Sequence, residues 1–101
     1  MNVQLINRDT VGELVLDGRL DSTNAQQFEV VALEVSKRFR DVILNLTDLE
    51  YTSSAGLRVI LRLYAELAKK DGELMVKGVN SSIMEVFEMT GFASYLKFIR
   101  E

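Results

Sequence analysis

The chain has 101 residues with 12 basic and 15 acidic side chains, a net charge of −3, and neither cysteine nor histidine. Lacking both, it cannot form disulfides, thiolate nucleophiles, Cys-based zinc sites or a Ser-His-Asp or Cys-His centre, while a carboxylate acid/base pair or a Mg²⁺ site stays open to it in principle. Its basic residues are scattered, with Lys69-Lys70 and Arg38 with Arg40 as the densest spots, so no face suited to nucleic-acid phosphates is expected.

Hydrophobic residues make up 48 % of the sequence, enough for one core, and no repeat, linker or low-complexity stretch divides it. One domain spanning residues 1–101 is expected. The start of the chain carries no apolar run of signal-peptide length, and no stretch approaches the ~20 apolar residues of a spanning helix. The expected setting is the cytoplasm, with no membrane insertion.

Val3, Leu5 and the run from Glu13 to Asp17 alternate with the period of strands, predicting a β-hairpin that turns within Asn7 to Gly12 and ends at Gly18. Asp21-Ser22-Thr23 brings helix-capping chemistry, and Thr23 with Gln26 fits a capping box. Phe28, Val31, Ala32, Val35 and Phe39 follow at helical spacing, so a helix over residues 24–38 should bury that face. Val42 to Leu46 reads as a buried strand, and the polar segment Thr47 to Ser54 joins it to a second helix. From Ala55, the stripe Leu57, Ile60, Leu61, Tyr64 and Leu67 faces inward, with Arg58, Arg62, Glu66 and Lys69 opposite and Arg62 paired to Glu66. Gly72 is expected to close this helix in the left-handed conformation.

Leu74 to Val79 is a further strand. Asn80-Ser81-Ser82 caps a third helix, with Ser82 and Glu85 as a second capping box and Ile83, Val86 and Phe87 as its buried face. Thr90-Gly91-Phe92 predicts a Schellman end that folds Phe92 back on Phe87. Leu96 to Ile99 reads as either a short strand or an irregular tail. The fold class is α/β: a single domain with a mixed sheet of four to five strands in the order β-β-α-β-α-β-α. Helices should lie mainly on one face, because Asn45, Glu13 and Asp17 make the other half-polar. That face can support a weak homodimer.

The segment Asp48 to Arg58 carries the chemistry. Three hydroxyls, Thr52, Ser53 and Ser54, precede Ala55 and Gly56 where a strand hands over to a helix whose first N–H groups lack partners. Such an end favours anions, and small residues there let another molecule approach the backbone. A plainer role exists: Ser53 or Ser54 can serve as an N-cap, worth ~1 kcal/mol. Gly56 costs a helix ~1 kcal/mol relative to Ala, which favours a contact site. The sequence holds neither the glycine-rich loop for nucleotide phosphates nor the Gly-x-Ser-x-Gly turn of esterases. Asp48 and Glu50 form the one close acidic pair near the motif and read as loop decoration, so no enzyme is expected.

Gly18-Arg19-Leu20-Asp21, Asn24-Ala25, Asn45 to Tyr51 and Ser53 to Leu61 together resemble the STAS domain of anti-sigma factor antagonists, and the similarity extends to Gly91-Phe92. The resemblance implies binding to an anti-sigma factor that is also a serine kinase, which frees a sigma factor and so regulates transcription. Phosphorylation by that kinase would dissociate the pair, and a phosphatase would reverse it. No cofactor is implied. Aligned on Ala55-Gly56-Leu57, the phosphorylated position falls on Ser54. Ser53 is a second candidate, standing where the family often has Asp. Asp21, Asn24, Thr52, Ser53, Ser54, Ala55, Gly56 and Arg58 are the expected partner-binding residues. Asp21 reads equally as a helix-start residue and Arg58 as part of a solvated face. A second implied role is an accessory or scaffold subunit, in a lipid-transport ABC complex or signalling assembly, that is never phosphorylated.

Overall fold

A computed structural model describes residues 1–99, so the last two residues of the expected domain lie outside the described ones. The elements are β1 (Asn2–Arg8), β2 (Val11–Leu20), α1 (Ala25–Arg38), β3 (Asp41–Thr52), α2 (Ser54–Ala68), β4 (Leu74–Lys77), α3 (Ser81–Met89), a 3₁₀ turn (Phe92–Tyr95) and β5 (Lys97–Ile99). This is the expected order, with the ambiguous segment Leu96 to Ile99 resolved as a fifth strand and an unforeseen 3₁₀ turn before it. The strands lie in sequence order, β1-β2-β3-β4-β5, with only β1 antiparallel. Right-handed crossovers that always step in the same direction put every helix on one face. Leu14, Leu44 and Val76 line up on that face with no exposure at all, while their alternates Val15, Asn45 and Lys77 are only part-buried.

The hairpin turns on Asp9 and Thr10 alone, with Asp9 at φ 72° and its N–H held by Asn7 Oδ1 at 2.9 Å. A side chain that bonds its own turn makes Asn and Asp suitable there. β2 does not stop at Gly18. That glycine sits at φ 103° beside register shifts, and the strand runs on to Leu20 because β3 continues alongside it. β3 itself is longer than the apolar run suggested. The segment 47–52 is strand, not connection, and only Leu49 and Thr52 within it turn inward. The two register shifts break the two-residue alternation, so the polar side chains face outward without showing a strand period.

Several helix details differ from expectation. Neither capping box forms. Asn24 occupies the α1 N-cap without a side-chain bond to it, and Asn80 Oδ1 caps α3 by accepting the Ile83 N–H at 2.8 Å. Asparagine at the cap position does the work assigned to Ser82 and Glu85. Val31 and Leu61 lie on the solvent side, whereas Val59 and Leu63 are buried, so the inner stripe of α2 is rotated from the expected one. Arg62 reaches across to Glu29 of α1 at 3.2 Å, leaving Glu66 to Lys69 at 2.8 Å. The left-handed residue after α2 is Asp71, at φ 61°. Gly72 is required for another reason: a Cβ there would lie 1.9 Å from the Arg40 carbonyl oxygen. At the end of α3 Gly91 is left-handed at φ 76° and Phe92 folds back on Phe87 with the rings edge-on at 5.9 Å, as expected, but the Phe92 N–H donates to Thr90 Oγ1 at 3.4 Å and not to the Phe87 carbonyl of a full Schellman end.

On the helix-free face of the sheet one carboxylate is sealed. Glu13 is 1 % exposed and receives Arg8 Nε at 2.6 Å, Asn45 Nδ2 at 3.0 Å and Lys77 Nζ at 3.3 Å. Burial pushes its carboxyl up, but the hydrogen bonds from Arg8, Asn45 and Lys77 outweigh that and hold it below the ordinary carboxylate value. A carboxyl depressed in the folded state adds stability above the unfolded pKa and loses it as pH falls through the folded one. Wild type is therefore expected to exceed Glu13→Gln in urea midpoint at neutral pH, with the gap closing below about pH 4. Paired urea titrations at pH 7 and pH 3 check this, and a gap independent of pH would refute it.

Candidate functional site

The site exists because β2 and β3 run parallel. Their last paired residues are Leu20 and Thr52, so both strands end at the same sheet edge and each hands over to a helix there. The carboxyl edge of parallel strands is where open α/β sheets usually place their ligands. The two chain segments are tied together by the Ser53 N–H, which donates to the Leu20 carbonyl at 2.9 Å.

On the β2 side, Asp21 and Asn24 fasten each other. Asp21 Oδ1 accepts the Thr23 N–H at 3.0 Å and its hydroxyl at 2.6 Å, while Asn24 Oδ1 accepts the Asp21 N–H at 2.9 Å. Asn24 Nδ2 donates to the Arg19 carbonyl at 2.8 Å, so both ends of that amide are engaged within the loop. The Thr23 hydroxyl, more than any other group, holds the Asp21 carboxyl below its ordinary range, so it is ionised at neutral pH. The Arg19 guanidinium lies 4.3 Å from the Tyr51 ring centre, a stack that the sequence reading did not foresee.

On the β3 side the three hydroxyls divide their tasks. Thr52 is buried and its hydroxyl donates to the Ser53 carbonyl at 3.2 Å. Ser53 is the N-cap, with extended backbone, and its Oγ accepts the Gly56 N–H at 3.3 Å. Ser54 is the first helical residue, and it is exposed. Ala55 is half-buried. Gly56 is buried, and a Cβ on it would lie 2.6 Å from Leu20 Cγ and from Thr52 Oγ1. The close approach that Gly56 permits is thus to its own chain. Thr52 and Gly56, expected among the partner-binding residues, instead shape the strand-to-helix junction from beneath, because both sit inside the core.

Arg58 is exposed one turn after Ser54 and stands between two grooves. One runs between α1 and α2 past Ser22, Gln26, Glu29 and Arg62. The other runs between α2 and the 3₁₀ turn past Leu57, Leu61, Phe92 and Tyr95. Leu61, which helical spacing places in the core, is 45 % exposed and forms with Tyr95, 59 % exposed, an apolar margin along that second groove. Only the rotation of α2 distinguishes Leu61 from Leu63, and no single residue in the sequence signals it.

A sheet with all its helices on one face, and paired helix starts at one edge of it, defines a small two-layer α/β domain. The family model for the STAS domain matches residues 2–101, and the chain belongs to that family. Over 80 residues it is 44 % identical to BtrV of Bordetella bronchiseptica, described provisionally as an anti-sigma factor antagonist; the match covers 78 % of this chain and 69 % of BtrV. It is 29 % identical over 92 residues to the anti-sigma-B factor antagonist of Staphylococcus aureus, covering 90 % of this chain and 85 % of that one. The fold is similar to that of the Bacillus cell fate determinant SpoIIAA in its phosphorylated form. There the TM-score is 0.78 at 19 % identity, across 99 % of this chain and 93 % of SpoIIAA.

Proposed function

We propose that this chain is an anti-sigma factor antagonist, and that its docking on an anti-sigma factor with serine kinase activity ends when Ser54 is phosphorylated. The observation that carries the proposal is the division of labour between Ser53 and Ser54. The Ser53 hydroxyl is committed to the helix cap, while the Ser54 hydroxyl stands exposed on the first turn. In the kinase's hands the γ-phosphoryl group of ATP passes to Ser54 Oγ, which gives up its proton, and ADP leaves. The product adds about −1.5 to −2 charges at a helix N-terminus, where its own helix tolerates them. Inside a desolvated interface the same charge is costly, so the partner is expelled without refolding the domain.

The relatives' names support the antagonist role, and SpoIIAA, solved in a phosphorylated form, shares the backbone. A phosphatase returns the chain to its binding state. The chain acts without catalysis or cofactor, as a switch for a sigma factor in the cytoplasm, and none of its described helices is long and apolar enough to cross a membrane. The partner face comprises Ser54, Ala55 and Arg58 with the Asp21 to Asn24 loop beside them. Incubation with an anti-sigma kinase and ATP should place one phosphate on Ser54, read by peptide mass spectrometry. Ser54→Ala should abolish it and Ser53→Ala should not. Modification of Ser53 alone, or of neither, would overturn the proposal.

A further inference from the structure

The described arginines are all engaged except one. Arg8 holds Glu13, Arg19 lies on Tyr51, Arg38 lies 5.4 Å from the Phe39 ring centre, Arg40 donates to the Asp71 carbonyl, and Arg62 holds Glu29. Arg58 alone has no hydrogen bond, ion pair or ring contact among the described residues, although it stands between two grooves. Its position relative to Ser54 is i+4 on the same helix.

We propose that the phosphate on Ser54 is received by Arg58 of its own helix, so that modification both adds charge to the docking face and withdraws from it a guanidinium that no other described residue engages. The inference rests on the reading of Ser54 as the modified residue and deepens it. Side chains four apart on a helix are neighbours, and the order found here, anion first and cation second, is the more favourable one. The Cα–Cβ bond of Arg58 tilts toward the helix start, which directs the side chain over the turn that carries Ser54. A guanidinium matches phosphate oxygens with two parallel hydrogen bonds, stronger than those between neutral groups. The competing captors are already occupied: Arg62 lies a further turn away on Glu29, and Arg19 is stacked on Tyr51. Of the acids beside the site, Glu29 is neutralised by Arg62, and ionised Asp21 repels the phosphate toward the α2 side. In the unmodified protein Arg58 is free to meet a partner carboxylate. After modification it is not.

The test installs phosphoserine at position 54 during translation, so that no kinase is needed, and follows the phosphate by ³¹P NMR titration. Arg58→Gln should raise the second titration midpoint by roughly a few tenths of a pH unit, whereas Arg58→Lys should keep most of the wild-type value. Arg62→Gln serves as the control and should change nothing. The Arg58 Nε–H signal, in rapid exchange with water in the unmodified protein, should slow in the phosphoprotein. Identical midpoints in wild type and Arg58→Gln, or an equal shift in Arg62→Gln, would overturn the pairing. Because the phosphate is placed during translation, a Ser54 that no kinase modifies would defeat the proposed function yet leave this readout intact.

Discussion

Ser54→Asp is expected to weaken docking on the anti-sigma kinase by roughly 30- to 700-fold, while Ser54→Ala stays within about threefold of wild type. The asymmetry follows from what each change does at this position. Alanine removes an exposed hydroxyl that caps nothing, since Ser53 supplies the cap. Aspartate places a charge that docking would strip of water, a loss of about 2–4 kcal/mol when no partner group answers it. The folded domain itself should not suffer. An acid in the first turn of a helix is stabilised by the dipole, so the melting temperature of Ser54→Asp should equal or slightly exceed that of wild type. Calorimetric titration beside a thermal melt separates these effects. Equal affinity for both variants would favour a constitutive scaffold role, and a large fall in melting temperature would mean the side chain is not free as described.

Phe87→Ala should have the largest effect on stability, about 3–5 kcal/mol, which for a domain of this size lowers the melting temperature by more than about 12 °C. Phe87 is fully buried on α3 and joins three elements. Its ring meets Phe92 of the 3₁₀ turn at 5.9 Å and Phe98 of β5 at 6.3 Å. Among the described residues β5 spans three and pairs with β4 alone, so this aromatic cluster is a main support for it. Truncation therefore opens a cavity and also loosens the end of the sheet. Hydrogen exchange should show β5 amides losing protection before those of β2 and β3. Uniform loss across the sheet would contradict the idea that Phe87 acts locally.

Most of the architecture was readable from apolar spacing, because βαβ units leave strong marks: a short β-branched run, a turn, a helical stripe. What escaped were features with no local mark. The extension of β3 through Thr47 to Thr52 was hidden by register shifts that cancel the alternation on which strands are recognised. The choice between Leu61 and Leu63 as the buried residue depends on the packing angle of α2, which the sequence of α2 alone does not state. Capping was misassigned for a related reason. Thr23 with Gln26 and Ser82 with Glu85 have the right spacing, but the cap positions fall on Asn24, one residue after Thr23, and on Asn80, two before Ser82. At the site, three adjacent hydroxyls were evident, yet their roles separate only in three dimensions. The bond from Ser53 to Leu20 fixes which one caps, which one is covered and which one faces solvent.

The sheet's strand order has a consequence for how the protein is made. Each strand lies beside the one synthesised just before it, and none has to be threaded between two already in place. A chain emerging from the ribosome can add one layer at a time to a growing template, with short loop closures and no waiting for a distant segment. Such vectorial assembly keeps few unpaired edges exposed during synthesis, which limits mispairing with other chains.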